Sequence, residues 1–127
     1  YLADTLGELG LFYRLAGIAF IGGSLTPVGG HNPLEAAMLD CAILHGPDMS
    51  NCAAVAKSLG DAGATVVIRD ASDLTTAVRR LLADPVERAA RAAAAAGVAT
   101  DNRAVLDAVL KRIAPWLDRL TAHAAGT

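Results

Sequence analysis

The sequence predicts an α/β fold, a Rossmann-like parallel sheet flanked by helices, and three observations carry that prediction. Strand-like segments alternate with helix-like segments along residues 8–69, which implies β-α-β units with right-handed crossovers. A glycine-rich stretch, "GGSLTPVGGHNP", leads from one strand-like segment into a helix-like one. The chain has 127 residues, of which 54% are hydrophobic and 19% charged, so it fits one globular domain, residues 1–127, with a buried core.

The first half of the chain supplies the alternating segments. Residues 1–3, "YLA", read as the end of a strand that enters a turn. Helices are expected over Glu8–Ala16, Pro33–Leu39 and Asn51–Leu59, and strands over Ile18–Gly22, Ala42–His45 and Ala64–Arg69. Because the sequence opens inside a strand and without an initiator Met, we expect it to be a fragment of a longer protein.

The second half is expected to be helical from Ser72 onward. The apolar stripe of the first helix consists of Leu74, Val78, Leu81 and Leu82. An alanine-rich helix should cover Pro85–Ala96 and stop at Gly97, since glycine favours helix ends. A last helix is expected from about Asn102 towards Leu120, and Pro115 should kink or end it.

Charge and cysteine content exclude several classes of protein. Eleven basic against thirteen acidic residues give a formal charge of −2, so the cationic surface of a nucleic-acid-binding protein is absent and any bound anion should be small. Cys41 and Cys52 form no C-x-x-C motif and read as buried thiols in a reducing compartment. The apolar stretch around Leu15–Ile21 is too short to span a bilayer and no signal peptide is visible, so a soluble chain is expected.

The glycine-rich stretch is the first candidate site, because ligands of parallel sheets bind where strand ends lead into helix starts. Gly29 and Gly30 can adopt positive φ angles, and Asn32-Pro33 supplies a helix N-cap and a first-turn proline. Glu35 then completes a capping-box pattern. Capping alone explains this pattern, and "DPVE" at residues 84–87 repeats it; the alternative is that the helix start binds a phosphate.

Two further junctions have similar sequences. In "DTLGE", residues 4–8, Thr5 is a candidate N-cap and Glu8 its capping-box partner. If the two preceding strands are close, two helix starts converge on one crevice, where a glutamate released from capping could accept hydrogen bonds from a ribose. The stretch "HGPDMSN", residues 45–51, offers three cap candidates: Asp48, Ser50 and Asn51.

Motifs of other enzyme classes do not occur. The loop does not match G-x-G-x-x-G, which disfavours a dehydrogenase, and Walker, H-E-x-x-H and G-x-S-x-G patterns are lacking. An Asp-x-Asp metal signature is also lacking, so we expect neither a metal nor another cofactor. His31 could donate to a phosphate or simply be satisfied within the loop.

Three motifs in order, "DTLGEL", "GGSLTPVGGHNPLE" and "GPDMSN", strongly resemble the 3-deoxy-D-manno-octulosonic acid (Kdo) transferases of lipopolysaccharide assembly. The resemblance covers most of Asp4–Asn51. It implies a two-lobed GT-B glycosyltransferase whose C-terminal lobe binds the donor CMP-Kdo and whose N-terminal lobe binds the lipid A precursor. The chain would then be the C-terminal donor-binding lobe, truncated at its start, of an enzyme at the cytoplasmic face of the bacterial inner membrane. Membrane association would come only from the N-terminal region.

The resemblance also implies a set of nucleotide-binding residues. Those in the two CMP-contacting segments are Leu6, Gly7 and Glu8, and Asn32, Pro33, Leu34 and Glu35; the loop adds Gly23, Ser24, Gly30 and His31. No catalytic residue is expected, because the general base of the family is a glutamate of the N-terminal lobe, and the fragment alone should be inactive. Leu6, Ala36 and Cys52 depart from the family pattern. The alternative is a non-catalytic nucleotide- or partner-binding Rossmann-like module.

The last helix predicts one further property. Its apolar residues exceed what one stripe needs: Val105, Leu106, Val109, Leu110, Ile113, Trp116 and Leu117. In GT-B enzymes this helix crosses to the other lobe, so we expect an uncovered surface that makes the fragment self-associate near Trp116 or through the first strand. The alternative is that Trp116 packs within the domain.

Overall fold

The computed structural model describes residues 1–4 and 6–124, with the side chains of residues 1–4 and 6–117. The helices are α1 (Leu9–Ala16), α2 (Leu34–Met38), α3 (Ala53–Asp61), α4 (Ala71–Ala83) and α5 (Pro85–Ala124). The strands are β1 (Ile18–Ile21), β2 (Ala42–His45) and β3 (Thr65–Val67), and a 3₁₀ turn covers Ser50–Cys52. The alternating pattern of the sequence therefore describes the chain as far as α4.

The strands form one parallel sheet in the order β1-β2-β3. Ile18 of β1 lies opposite Ala42 of β2, and Ile43 of β2 lies opposite Thr65 of β3. The predicted α/β class with a parallel sheet is confirmed. Because all strands run the same way, the loops that follow Ile21, His45 and Val67 leave the sheet at one edge.

The core has two halves, because successive side chains of the central strand β2 point to opposite faces of the sheet. On one face, Ile43 packs in a cluster with residues of β1, α2, α3 and α5, among them Leu59 and Ala95. On the other face, Leu44 packs with Ile68 and Leu81 under α4. The sheet is thus covered by helices on both faces.

The stripe predicted for α4 is largely correct. Leu81 is fully buried, and Leu74 and Val78 pack on the same cluster. Leu82 was wrongly included: it is 61% exposed, because it follows Leu81 by one residue and turns away from the face that Leu81 buries. Ala77 takes the remaining core position.

Two expectations for the C-terminal half were wrong. Gly97 does not end the alanine-rich helix, and no separate helix begins near Asn102, since α5 runs over Pro85–Ala124. Pro115 lies inside this helix and does not end it. The buried face of α5 continues across the glycine, with Ala92, Ala95 and Ala99 all in the core. That tertiary packing outweighs the roughly 1 kcal/mol by which a mid-helix glycine is disfavoured.

The apolar residues of the second half of α5 are exposed, from 41% for Ile113 to 66% for Trp116. Trp116 is therefore not buried in the core of this domain, contrary to the alternative considered above. Residues 1–3 were predicted to end a strand, but they have no regular secondary structure and are exposed. Cys41 and Cys52 are free thiols; Cys41 is buried, as expected, whereas Cys52 is half-buried.

Candidate functional site

The glycine-rich stretch forms a folded loop at the carboxyl end of β1. Two backbone hydrogen bonds close its base, from Gly30 N–H to the Gly23 carbonyl (3.1 Å) and from His31 N–H to the Gly22 carbonyl (3.2 Å). Gly29 and Gly30 have φ angles of 93° and 67°, in the left-handed region that favours glycine. The positive φ angles expected at these two positions are therefore confirmed.

Ser24 ties this loop to the loop after β2. Its fully buried hydroxyl donates to the Ile21 carbonyl (2.5 Å) and accepts from Gly46 N–H (2.7 Å). Gly46 lies so close that a Cβ atom there would clash with the Ser24 carbonyl. The side chain of Ser24 thus bonds within the protein, and its part in any site is to fix the two loops against each other.

The stretch "DMSN", residues 48–51, surrounds the glycine pair. The Asp48 carboxylate accepts from Gly29 N–H (2.9 Å) and from Ser50 N–H (3.2 Å). The Asn51 amide donates to the carbonyls of Val28 (2.9 Å) and Gly30 (3.4 Å). None of the three cap candidates occupies an N-cap position, because Met49 precedes the 3₁₀ turn and Cys52 precedes α3. Asp48 and Asn51 instead hold the neighbouring loop, a role that sequence spacing alone did not indicate.

Electrostatics agree with this arrangement at Asp48. Hydrogen bonds from the side chain and the backbone of Ser50, with a further one from the Gly29 amide, lower the pKa of the Asp48 carboxyl below its ordinary value. The group is therefore ionised at neutral pH. An ionised carboxylate is the stronger acceptor for the two amides that it holds.

At the start of α2, only one of the two hydrogen bonds of the expected capping box is formed. Asn32 Oδ1 accepts from Leu34 N–H (3.1 Å), as expected of a cap, but α2 begins at Leu34, so Pro33 rather than Asn32 occupies the N-cap position. Pro33 is buried at the helix boundary. The second half of the expected capping box is not formed: Glu35 is exposed, and no hydrogen bond links its carboxylate to another described residue. Glu35 is the glutamate released from capping that the sequence left as an alternative.

Helix α1 packs beside α2. Leu39, at the end of α2, comes within 3.7 Å of the position that a Cβ of Gly10 would occupy. Burial and then the Glu35 carboxylate, with a smaller effect of Cys41, raise the pKa of the Tyr13 hydroxyl. The negative charge of Glu35 therefore acts on α1 as well as on α2.

The start of α1 differs from its prediction. The helix begins at Leu9, so Glu8 occupies the N-cap position rather than the third helical position, and its side chain makes no cap hydrogen bond. Thr5, the predicted cap, lies outside the described residues. Leu6, Gly7 and Glu8 are exposed.

Helix length indicates where the start of α1 lies. Only Gly17 separates α1 from β1, so the chain reverses there and α1 runs back beside the strand. Eight helical residues rise about 12 Å and four strand residues about 13 Å. These similar lengths predict that the start of α1 lies towards the edge at which β1 ends. That the two helix starts face one crevice stays a prediction.

The predicted site residues divide by exposure. Six are exposed: Leu6, Gly7, Glu8, His31, Asn32 and Glu35. Gly23 and Leu34 are half-buried, whereas Ser24, Gly30 and Pro33 are buried. A groove of about 560 Å³ continues from Leu34 between α2 and α5. Among the residues that the structure covers, no three His, Cys, Asp or Glu side chains are grouped to hold a metal ion, and no helix is long and apolar enough to cross a membrane.

Comparison with known proteins gives consistent matches. No protein-family model matches the chain. The 3-deoxy-D-manno-octulosonic acid transferase of Rickettsia felis is 40% identical over 119 residues, which is 92% of this chain and 25% of that protein. The enzyme of the same name from Haemophilus influenzae is 34% identical over 93% of this chain and 28% of that protein. The chain thus spans about a quarter of the length of the curated relatives that it matches.

A solved structure matches the fold. The C-terminal CMP-Kdo binding domain of WaaA from Acinetobacter baumannii superimposes with a TM-score of 0.73 at 36% sequence identity, over 77% of this chain and 51% of that one. The sheet and its flanking helices therefore have the arrangement of that domain. By sequence and by fold, this chain belongs to the 3-deoxy-D-manno-octulosonic acid transferase family.

Proposed function

We propose that this chain is the C-terminal, donor-binding domain of a CMP-Kdo-dependent glycosyltransferase and that it binds the CMP part of the donor. The observation that carries the proposal is the match to the CMP-Kdo binding domain of the Acinetobacter baumannii protein, at 36% identity over 77% of this chain. The relatives with the corresponding name support the same reaction for the whole polypeptide.

The proposal gives each part of this edge a role. The helix starts at Leu9 and Leu34 offer backbone N–H groups and positive dipole ends to the phosphate. Glu35 is exposed and makes no hydrogen bond within the part of the chain that is described, so its carboxylate is available to accept from the ribose hydroxyls. His31, exposed beside the loop base, is the proposed additional donor to the phosphate.

The buried members of the set shape the site rather than touch the nucleotide. Ser24 and Gly30 fix the loop, Pro33 fixes the entry to α2, and the half-buried Gly23 and Leu34 line its margin. Leu6, Gly7 and Glu8 form the second wall at the start of α1. No residue of this chain is assigned a catalytic role, and no metal or other cofactor is part of the proposal.

The remaining features of the enzyme belong to the proposal for the whole polypeptide. They are a GT-B architecture, a lipid A precursor as acceptor, a place in lipopolysaccharide synthesis and attachment to the cytoplasmic face of the inner membrane. Because the chain spans about a quarter of its relatives, we expect it to bind the donor nucleotide without transferring Kdo. Self-association through the exposed face of α5 stays a prediction.

Calorimetric titration of the chain with CMP, with NAD as the comparison, tests the proposal. We expect CMP to bind and NAD to bind more weakly, because the proposed site joins two helix starts around one phosphate and its glycine loop lacks the dinucleotide fingerprint. A separate assay with CMP-Kdo and a lipid A precursor should detect no transfer by this chain alone. Tighter binding of NAD than of CMP, or efficient Kdo transfer, would contradict the assignment.

A further inference from the structure

We propose that Asp48 and Asn51 are positioning residues of the donor site, which hold the Gly29-Gly30 pair in the conformation that presents Asn32 and Glu35 to the nucleotide. This inference rests on the proposed function. Neither residue belongs to the set that the helix starts suggested, and both come from the loop that follows the neighbouring strand β2.

The contacts on the two sides of the glycine pair are complementary. Asp48 accepts from the N–H of Gly29, while Asn51 donates to the carbonyls of Val28 and Gly30. A backbone hydrogen bond adds to these contacts, since Asn51 N–H donates to the Gly29 carbonyl at 3.0 Å. Both polar faces of this short segment are therefore bonded to one loop.

The space around Gly29 and Gly30 leaves no room for a side chain. A Cβ at Gly29 would lie 2.6 Å from the Asn51 amide, and a Cβ at Gly30 would lie 2.5 Å from the Met49 sulfur. The residues of "DMSN" therefore close on the glycine pair from several sides. Two residues later the chain reaches Asn32, whose cap sets the start of α2, so a shift of the pair displaces Glu35.

The chain contains a matched control in Asp84. Its carboxylate also accepts two backbone N–H bonds, from Val86 (3.0 Å) and Glu87 (2.9 Å), at the start of α5. Asp48→Ala and Asp84→Ala each remove one carboxylate and two hydrogen bonds to amides. Only the first of these changes involves the glycine loop.

The experiment measures two quantities for the wild type, Asp48→Ala, Asn51→Ala and Asp84→Ala. One is the Kd for CMP by calorimetry, and the other is the hydrogen-exchange rate of the amides of residues 29–35. We expect Asp48→Ala to raise the Kd roughly tenfold, because small displacements of positioning groups have large effects, and to accelerate exchange at Gly29. Asp84→Ala should lower the melting temperature and leave both quantities unchanged.

Further variants keep the test decisive. Asp48→Asn retains one acceptor oxygen and should bind CMP more tightly than Asp48→Ala, which a purely structural loss would not produce. We call the contacts of Asp48 and Asn51 with residues 28–30 the clamp. If Asp48→Ala fails to fold, Asn51→Ala tests the clamp by removing the two hydrogen bonds from the Asn51 side chain to carbonyls. Unchanged exchange at residues 29–35 in these variants would overturn the clamp. Faster exchange with an unchanged Kd for CMP would overturn the role of the clamp in binding. A wild type that binds no CMP would refute the proposed function, and the exchange rates would still test the clamp.

Discussion

Two helices of this protein begin with the same sequence pattern, "NPLE" at residues 32–35 and "DPVE" at residues 84–87. At the second start, Asp84 caps two amides, and Glu87 pairs with Arg80 (3.2 Å) and Arg91 (2.8 Å). At the first start, Asn32 caps one amide at 3.1 Å. Its glutamate, Glu35, is exposed and has no hydrogen-bond partner among the residues described.

The difference shows that the capping pattern alone does not define a site. The start of α5 is complete, because both carboxylates of its pattern are used within the protein. Arg91, held by Glu87, also donates to the carbonyls of Gly63 (3.0 Å) and Thr65 (3.2 Å), which ties α5 to β3. The start of α2 follows a glycine loop at the carboxyl edge of the sheet and keeps an ionisable group unpaired. We therefore interpret the incomplete start as the one that binds.

The largest effect is expected where the glycine loop before α2 contacts the loop after β2. Gly46→Ala places a methyl group against the Ser24 carbonyl, where Ser24 and Gly46 are both buried and bonded to each other. Overpacking of this kind costs about 1–3 kcal/mol, and backbone atoms cannot move aside as a flexible side chain can, so we expect the upper end of that range. Chemical denaturation measures the change. The start of α5 has no such loop, and a loss below about 0.5 kcal/mol would show that the two loops are not tightly joined.

The sequence predicted the order of strands and helices along the first half of the chain and a parallel sheet, because alternating apolar strands and helices leave few arrangements. It failed where tertiary packing decides: Gly97 reads as a helix stop, yet the buried Ala95 and Ala99 carry the helix past it. For the site, the positions of Asn32 and Glu35 were predictable from their place after a strand. The clamp by Asp48 and Asn51 was not, since its hydrogen bonds join residues 19 to 23 positions apart and no local pattern encodes those contacts.

The second prediction compares the two glutamates directly. Glu35→Ala should weaken CMP binding by roughly 1.5–3 kcal/mol, ten- to a hundredfold or more, because a charge-assisted hydrogen bond to the ribose is lost. Calorimetric titration gives the change in Kd. Its effect on stability should be small, since the carboxylate makes no hydrogen bond in the described part of the chain.

Glu87→Ala is the control for that comparison. It removes two ion pairs of partly exposed side chains, so we expect a loss of roughly 1 kcal/mol in unfolding free energy and an unchanged Kd for CMP. Equal effects of the two substitutions on CMP binding would mean that Glu35, like Glu87, serves only its helix.

The smallest expected effect is a change in stability on substitution of Gly97 in α5, the helix with the complete start. Gly97 lies on the exposed side of α5, where no atom of the described residues, apart from the adjoining helix backbone, comes within 4 Å of the position of a Cβ. Alanine at this position should therefore stabilise the protein by about 0.5–1 kcal/mol, since it removes the entropic cost of glycine in a helix and meets no neighbour. Thermal denaturation followed by circular dichroism measures the shift, and CMP binding should not change. A destabilised Gly97→Ala variant would indicate that α5 bends or ends at this residue in solution, as the sequence alone had suggested.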